Sequence, residues 1–385
     1  MLLLLTTSLL TGCREEAEIY IPDQVSVAIP QYHSIQGFYL LNEGNMGSNK
    51  STLDYYDYTT GIYTRNIYGN ANPAVPKEMG DVGNDIAIYG NRLYAVINCS
   101  NKIEVMDKHT ARRIGQINIP NCRYIRFHEG YAYVTSYAGP VRIDPDYKQT
   151  GFVAKVDTAT LQIVDTCLVG FQPDELEIID NKIYVANSGG YMVPNYENTV
   201  SVIDIGSFTE VRRIPVAINL HHLRADRHGQ LWISSRGDYY TIPSRLYCID
   251  TRKEQAAYEM GISHNQSLYL DSIDIATSNF HLDGDSLYIY STEWSYVSMD
   301  MNVTYGIVDV ASHKLKTTNF ITDGSEKKIR VPYGIKVNPL TKDIYITDAK
   351  NYVSPGTLWC FGPDGAAKWS VRTGDIPAHI VFVGD

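Results

Sequence analysis

The chain has 385 residues, of which 44% are hydrophobic and 20% are charged, and its formal net charge is −10 with an isoelectric point near 5.5. This composition excludes a largely disordered chain, and without a basic stripe the chain is not expected to bind nucleic acid. Tyr accounts for 30 residues and Phe for 9, so many rings are expected to be buried while their hydroxyls reach water or a ligand.

The chain begins with a pattern that resembles a lipoprotein signal. Leu2–Leu10 form an apolar run too short to span a bilayer, and the following LTGC at 10–13 resembles a bacterial lipobox. The resemblance implies a signal peptide over residues 1–12, lipid on Cys13 and a tether over residues 13–36. No Lys or Arg precedes the run, and a buried N-terminal strand ending in Cys13 is the alternative.

An acidic cluster follows at residues 14–18, with the sequence REEAE. It resembles the surface-export tags of some Gram-negative lipoproteins. The resemblance implies a surface-exposed lipoprotein of the cell outer membrane, and a lipoprotein facing the periplasm is the alternative.

Cysteine spacing points to no scaffold or metal centre. Apart from Cys13 there is an odd number of cysteines and no CxxC pair, so neither a disulfide framework nor a zinc site is indicated; they are Cys99, Cys122, Cys167, Cys248 and Cys360. A pairing of Cys99 with Cys122 stays open as an alternative.

Seven similar strands recur along the chain. Examples are FYLLNE from Phe38, LYAVIN from Leu93 and IYVANS from Ile183. The spacing of roughly 50 residues is typical of four-stranded propeller blades. The aromatic residue at the second position recurs as Tyr39, Tyr94, Tyr133, Tyr184, Trp232, Tyr288 and Tyr345.

Each repeat predicts a small antiparallel sheet with apolar residues on both faces, which is stable only between similar sheets. We therefore predict an all-β fold, a seven-bladed β-propeller over residues 37–385. The first blade begins with a second strand, GFYLLNEG from Gly37, and the chain ends on AHIVFVGD from Ala378. The C-terminal strand is expected to complete the first blade. A two-sheet sandwich and a ring of six or eight blades are the alternatives.

Long connections fall at one junction of the repeat, between the second and third strands, and the turns on the opposite face are expected to stay short. These insertions cover 136–151, 187–199, 235–244, 291–303 and 348–356. Loops extended on one rim of a rigid ring are typical of a binding site. The predicted rim residues are Tyr137, Tyr147, Tyr191, Tyr196, Arg236, Tyr239, Tyr240, Trp294, Tyr296 and Tyr352. Alternatively, these rings pack over the blade ends.

Polar residues that enter the innermost strands, or leave the second strands, are expected on the same face. They are Asn42, Glu43, Asn84, Asp85, Asn98, Arg123, Tyr124, Asp174, Glu175, Asn187, His221, His222, Tyr333 and His379. Amides offer both donors and acceptors to a ligand, although such residues also cap strands and hold water. Because neighbours in a strand point to opposite faces, at most one of His221 and His222 is expected to face the axis.

Catalytic patterns are missing from the sequence. It contains no GxSxG, HExxH, phosphate-binding Gly-rich loop or EF-hand motif. Asp174, Glu175 and Glu177 are the candidates for general acid and base, yet nothing in the sequence indicates a raised pKa for these carboxylates. We therefore expect a binding protein that needs no cofactor and no metal.

The segment KIYVANSGG…NTVSVID, from 182 to 204, resembles the YVTN-repeat propellers of the YncE type. The segment YLLNEGNMGSNKSTLDYYD, from 39 to 57, is similar to BtuG-like surface lipoproteins. That resemblance implies a non-catalytic protein that binds cobalamin (vitamin B12 or another corrinoid) and passes it to a TonB-dependent BtuB-type outer-membrane transporter. The alternatives are a propeller enzyme, such as a lactonase, lyase or quinoprotein-like dehydrogenase, and a surface adhesion or assembly module.

Overall fold

The computed structural model of the protein describes residues 23–295 and 300–384, and it shows seven antiparallel sheets arranged as the blades of a propeller. The predicted all-β, seven-bladed fold is confirmed. Residues 1–12, predicted as a signal peptide, lie outside the described residues, as do Cys13 and Tyr296.

The first four blades follow one another along the chain. Blade 1 contains β1 (Gln24–Ser26), β2 (Ile35–Asn42), β3 (Thr52–Asp57) and β4 (Ile62–Thr64), and blade 2 contains β5 (Gly83–Tyr89), β6 (Arg92–Ile97), β7 (Lys102–Asp107) and β8 (Arg113–Asn118). Blade 3 contains β9 (Cys122–His128), β10 (Tyr131–Ser136), β11 (Phe152–Asp157) and β12 (Ile163–Leu168), and blade 4 contains β13 (Pro173–Ile179), β14 (Lys182–Asn187), β15 (Thr199–Asp204) and β16 (Thr209–Pro215).

The remaining blades complete the ring. Blade 5 contains β17 (Leu220–Ala225), β18 (Gln230–Ser235), β19 (Arg245–Asp250) and β20 (Leu270–Ile273), and blade 6 contains β21 (Asn279–Asp283), β22 (Ser286–Ser295), β23 (Asp300–Asp309) and β24 (Lys314–Thr317). Blade 7 contains β25 (Pro332–Val337), β26 (Ile344–Asp348), β27 (Pro355–Phe361) and β28 (Ala367–Asp375), and the last strand is β29 (Pro377–Gly384). The helices are α1 (Ile67–Ala71) and α2 (Thr251–Glu259), with 3-10 turns at Gln266–Leu268 and Ser325–Lys328.

The C-terminal strand closes the ring as predicted. β29 pairs with β2, so that Phe38 lies opposite Phe382 and Tyr39 lies opposite Val381. Blade 1 thus combines both ends of the propeller, and its innermost strand comes from the end of the chain. β1 adds a fifth, outermost strand by pairing with β4. The segment from Gln24 onward, predicted as part of the tether, is therefore packed against blade 1.

The core lies between neighbouring blades, where the repeated aromatic residues are placed. Tyr94 and Val96 of blade 2 pack with Ile125 and Val134 of blade 3, and comparable clusters join the other blades. All the second-position aromatic residues are buried except Tyr288, which is half-buried. Much of the tyrosine excess therefore serves to pack one blade against the next.

The innermost strand of every blade except the sixth begins with a shift in register against its neighbour. In blade 5, Leu220 pairs with Ser235 but Leu223 pairs with Ile233, so β17 carries one extra residue. The same shift occurs in β5, β9, β13, β25 and β29. A β-bulge of this kind breaks the strict alternation of side chains and re-aims them.

One prediction about the connections is wrong. Successive antiparallel strands place the connection from β19 to β20 on the face opposite the long loops, yet it runs from 251 to 269 and contains α2. The side chain of Asp250 accepts a hydrogen bond from the Lys253 amide at 3.1 Å and caps the helix, and Glu254 pairs with Arg212 of blade 4. The opposite face therefore carries one long insertion, held by an ion pair.

Removing β29 should open the ring. A chain that stops after Ile376 leaves β2 without its inner partner and uncovers the edge of blade 1. We expect the cooperative thermal unfolding transition to be lost in calorimetry and the truncated chain to bind an apolar dye. A chain that begins at residue 27 is the control, because the exposed strand β1 is the only described strand that it lacks, and it should keep the transition. A truncated chain that unfolds like the wild type would show that closure is dispensable.

Candidate functional site

The face that carries the long loops contains an open cavity, which we call the cup, of about 1000 Å³. It lies at the end of the central channel, where the innermost strands begin. The predicted site residues that line it are Glu43, Asn84, Asn98, Arg123, Tyr124, Tyr191, His221, His222, Arg236, Tyr239, Tyr240, Tyr333, Tyr352 and His379. These residues are distributed over all the blades except the sixth, so the cup exists only in the closed ring.

Other predicted site residues lie outside the lining of the cup. They are Asn42, Asp85, Tyr137, Asp174, Glu175, Asn187 and Tyr196. The side chain of Trp294, like Tyr296, lies outside the described part of the structure. Asn187 is fully buried: its side-chain oxygen accepts a hydrogen bond from the Gly170 backbone N–H, and its Nδ2 donates to the hydroxyls of Thr199 and Ser201 in blade 4. Asn42 is similarly buried and donates to the Thr52 hydroxyl at 3.1 Å. These two amides serve the scaffold.

Asp174 is the centre of a buried charge cluster beside the cup. Its carboxylate accepts hydrogen bonds from Arg123 Nε at 3.1 Å, Arg236 Nη1 at 2.8 Å and the Tyr137 hydroxyl at 2.7 Å. Burial opposes ionisation of this carboxyl, but the charges of Arg236 and Arg123 outweigh it and lower its pKa. Asp174 therefore stays ionised and ties blade 4 to blades 3 and 5.

Tyr137 and Tyr147 do not reach the cup. The Tyr137 ring lies under the Arg123 guanidinium, with 4.7 Å from the guanidinium carbon to the ring centroid, and its hydroxyl is used by Asp174. Tyr147 packs behind it and donates to the Tyr137 carbonyl at 3.4 Å. For these two rings the alternative given above, packing over the blade ends, is the correct one. Tyr196 is half-buried in its loop beside the cup.

Glu175 forms a second buried cluster at the level of the channel. It binds Arg126 and Arg224 through one oxygen, and His222 Nδ1 at 2.9 Å and the Leu223 amide at 3.0 Å through the other. Burial acts against the charged form, yet the two arginines hold the pKa of Glu175 well below its usual range. Arg126 also binds Asp85 at 3.1 Å. Asp85 and Glu175 thus fix the inner strands of four blades, from blade 2 to blade 5.

His221 and His222 both line the cup, so the prediction that at most one of them faces the axis is wrong. Their ring centroids are 3.6 Å apart, and the bulge at the start of β17 is what turns both toward the channel. Burial, followed by the charge of Arg236, holds the pKa of His221 well below its usual range. His221 Nε2 lies 3.1 Å from the hydroxyl of Tyr124, which belongs to blade 3. The neutral ring and the phenol form part of the floor of the cup.

The wall of the cup formed by blades 1 and 7 contains a carboxylate, whereas the wall near blade 4 contains two arginines. Glu43, at the end of β2, accepts a hydrogen bond from the Tyr333 hydroxyl at 2.9 Å and lies 3.1 Å from His379 Nε2. In a ring of seven blades this wall stands opposite blade 4. The cup is therefore polarised, with two arginines on one side and a carboxylate on the other.

Several lining residues escaped prediction. Met46, Cys99, Val141, Ile242, Pro243, Ser244, Asn279, Tyr290, Glu293 and Pro332 belong to this group. Half of them lie in the same long connections as the predicted tyrosines, so counting every residue of those loops, apolar ones included, would have found that half. Asn279 and Tyr290 pair with each other at the top of blade 6, whose inner strand has no bulge to mark it.

Neither a metal centre nor a disulfide is found in the described residues. Across 23–295 and 300–384, no group of three or more His, Cys, Asp or Glu side chains is arranged to hold a metal ion. Cys99 and Cys122 are free thiols, with the Cys122 sulfur 3.4 Å from the Lys102 carbonyl oxygen. In the same residues, none of the helices is long and apolar enough to span a membrane.

The chain belongs to the DUF5074 family, a domain of unknown function, whose model matches residues 36–355. No protein with a curated description matches it. The family therefore covers most of the propeller and defines its class without assigning it an activity.

Solved propellers share the fold at low sequence identity. A hypothetical selenium-binding protein from Sulfolobus tokodaii has a TM-score of 0.62 at 9% identity, covering 92% of this chain and 95% of that one. A protein from Bacteroides fragilis described as a candidate 6-phosphogluconolactonase has a TM-score of 0.58 at 11% identity, covering 92% and 99%. A quinonprotein alcohol dehydrogenase-like protein from Bacteroides thetaiotaomicron has a TM-score of 0.55 at 13% identity, covering 91% and 79%. These similarities establish the propeller fold alone.

Replacing Asp174 by Asn should destabilise the protein strongly, because Arg123 and Arg236 would then lack their buried counter-charge. We expect a loss of about 3–5 kcal/mol in the free energy of unfolding at neutral pH. The pKa of folded Asp174 lies below its ordinary value of 3.8, so its stabilising effect is complete above about pH 4 and declines as the pH falls through the folded pKa. Urea unfolding at several pH values should show the difference from wild type shrinking in acid.

Asp274→Asn is the matched control for this change. Asp274 also pairs with an arginine, Arg245 at 2.7 Å, but its side chain is 90% exposed. We expect a change of less than about 1 kcal/mol, as for other surface pairs. Equal effects of the two substitutions would contradict the role given to Asp174.

Proposed function

We propose that the protein is a non-catalytic binding protein that captures a corrinoid such as cobalamin in the cup. The observation that carries the proposal is the cup itself, which combines a volume of about 1000 Å³ with exposed aromatic rings at its mouth and polar groups on its walls. A corrin is a broad, partly apolar disc fringed with amides. Large pockets that join aromatic surface to a few fixed polar groups suit such ligands.

The mouth of the cup supports this proposal through its exposed rings. The exposed fractions are 61% for Tyr239, 78% for Tyr240 and 40% for Tyr352. Tyr352 packs edge-on against Tyr333, with their centroids 5.9 Å apart, so part of the aromatic surface is already held in place. A flat ligand that covers these exposed rings would bury their apolar surface, and this burial favours binding.

The asparagine side-chain amides that line the cup are less available to a ligand than their number suggests. Asn84 Nδ2 donates to the Arg123 carbonyl at 2.8 Å, and Asn98 Nδ2 donates to the Cys122 carbonyl at 2.9 Å. Amides at the edge of a corrinoid would therefore meet tyrosine hydroxyls and guanidinium groups more than asparagine side chains. This differs from the ring of ligand-binding amides suggested by the sequence.

The names of two structural neighbours, which are described as dehydrogenase-like and as a lactonase, suggest an alternative in which this propeller is an enzyme. It would need a carboxylate or histidine free to move a proton. Glu43, the carboxylate of the wall formed by blades 1 and 7, is hydrogen-bonded to Tyr333 and close to His379, while His221 contacts Tyr124. A surface adhesion or assembly module would leave the cup empty of small ligands.

We further propose that the protein acts at the cell outer membrane, anchored through lipid on Cys13, and passes its ligand to a TonB-dependent BtuB-type transporter. This part of the proposal rests on the LTGC motif at 10–13 and on the resemblance of the segment 39–57. The long connections that line the cup lie on one face, so a partner that approaches that face could accept the ligand directly.

Replacing Tyr240 or Tyr352 by Ala should weaken binding of cyanocobalamin. Each ring exposes an aromatic face at the mouth of the cup, and loss of one ring contact should reduce affinity by about fivefold or more. Titration of the purified full chain in detergent, followed by calorimetry and by the visible spectrum of the corrinoid, measures the change. Tyr32→Ala is the control, because that ring is 84% exposed but lies outside the cup. Failure of the wild-type chain to bind at micromolar ligand would refute the proposed function.

Replacing Cys13 by Ala should release the protein from the membrane. Lipid on Cys13 is the proposed anchor, and the substitution removes its attachment point. Fractionation of expressing cells should find the variant outside the membrane fraction, with labelled fatty acid incorporated only into the wild type. Cys99→Ala should fractionate like the wild type. Membrane association that survives Cys13→Ala would contradict a lipid anchor at this residue.

A further inference from the structure

Two arginines from different blades meet at one wall of the cup. Arg123 enters from β9 of blade 3, and Arg236 follows β18 of blade 5. Both contact the carboxylate of Asp174, which is fully buried and lies outside the lining. The two arginine side chains keep exposed fractions of 12% and 23% and line the cup. The cations therefore lie between the carboxylate and the open cavity.

This cluster has more positive than negative charge. Two guanidinium groups share one carboxylate, so one unit of positive charge is left at the wall. Each guanidinium has five N–H donors, and one on each side chain is used by Asp174. Within 23–295 and 300–384, neither group has another hydrogen-bond acceptor. Donors on two planar forks thus remain available beside the cavity.

Nearby groups do not neutralise this charge. His221 is held neutral, and the Tyr124 hydroxyl is paired with it. Glu43 belongs to the opposite wall, where it binds Tyr333 and lies beside His379. Glu293 of blade 6 accepts a hydrogen bond from the Ser244 hydroxyl at 2.6 Å. The surplus charge at Arg123 and Arg236 therefore faces the cavity.

We propose that Arg123 and Arg236 form an oxyanion subsite in the cup, which binds a phosphate group of the ligand. Guanidinium forks match the oxygens of phosphate in both charge and geometry. This inference rests on the proposed function and deepens it. On a cobalamin, the group that fits is the phosphodiester of the nucleotide loop, so the subsite would orient the corrinoid with that loop toward blade 4. On a small sugar ligand, a phosphomonoester would occupy the same place.

Comparison of two corrinoids tests the subsite. Cyanocobalamin carries the phosphodiester, and dicyanocobinamide lacks it but keeps the corrin ring and its amides. Arg236→Gln should weaken cyanocobalamin binding by about tenfold or more, as expected for a lost charged hydrogen bond, while dicyanocobinamide binding should change by less than about twofold. Arg372→Gln is the matched control, because Arg372 is exposed on the outermost strand of blade 7, and it should change neither affinity.

Two results would overturn the subsite while leaving corrinoid capture intact. One is an equal loss of affinity for both corrinoids in Arg236→Gln, and the other is no loss for either. If Arg236→Gln does not fold, judged by its circular dichroism and unfolding midpoint, Arg236→Lys takes its place. That variant keeps the charge but loses the fork, and it should weaken cyanocobalamin selectively. Equal effects of Arg236→Lys on both ligands would count against the subsite.

A wild-type chain that binds neither corrinoid would refute the proposed function without deciding the subsite. Glucose 6-phosphate and glucose then serve as the probe pair, read by the shift in unfolding midpoint. Stabilisation by the phosphorylated sugar alone, lost in Arg236→Gln and kept in Arg372→Gln, would support the oxyanion subsite and a phosphomonoester as its ligand. No phosphate-dependent stabilisation of the wild type would overturn it.

Discussion

The pairing of β29 with β2 is the constraint on which the rest of the structure depends. It joins the two ends of the propeller in one sheet, so no blade is left with an open inner edge. Each blade buries its apolar faces only against its neighbours, so the core depends on the ring being complete. The cup depends on the same closure, because Glu43 and His379 come from β2 and β29 respectively, whereas Arg123 and Arg236 come from the far side of the ring.

Charge inside the ring is organised around blade 4. Asp174 and Glu175, which are adjacent in β13, each bind side chains from both neighbouring blades, and their ionised forms are held by arginines. Buried ion pairs rarely add net stability over apolar packing, but breaking one of them is costly. Here they fix the positions of Arg123 and Arg236 at the wall of the cup. The scaffold and the proposed ligand site therefore use the same carboxylate.

The fold could be predicted from the sequence because its signals are periodic and local. The repeated aromatic residues, their spacing of roughly 50 residues and the unpaired last strand required no knowledge of side-chain direction. The site was harder to predict from the sequence, because it depends on places where the strands depart from their regular two-residue period. Bulges at the starts of the inner strands turn both His221 and His222 inward, which the two-residue period does not anticipate. Tyr137 is drawn under Arg123, and α2 lies in a connection that strand patterns could not reveal.

The central claim is that a ligand binds on one face of the closed ring, and hydrogen exchange of the amides with and without cyanocobalamin tests it most directly. The account predicts slower exchange in the connections 137–151, 188–198, 236–244 and 349–354, with no change in 251–269 on the opposite face. Protection confined to 251–269, or no protection anywhere at saturating cyanocobalamin, would contradict it.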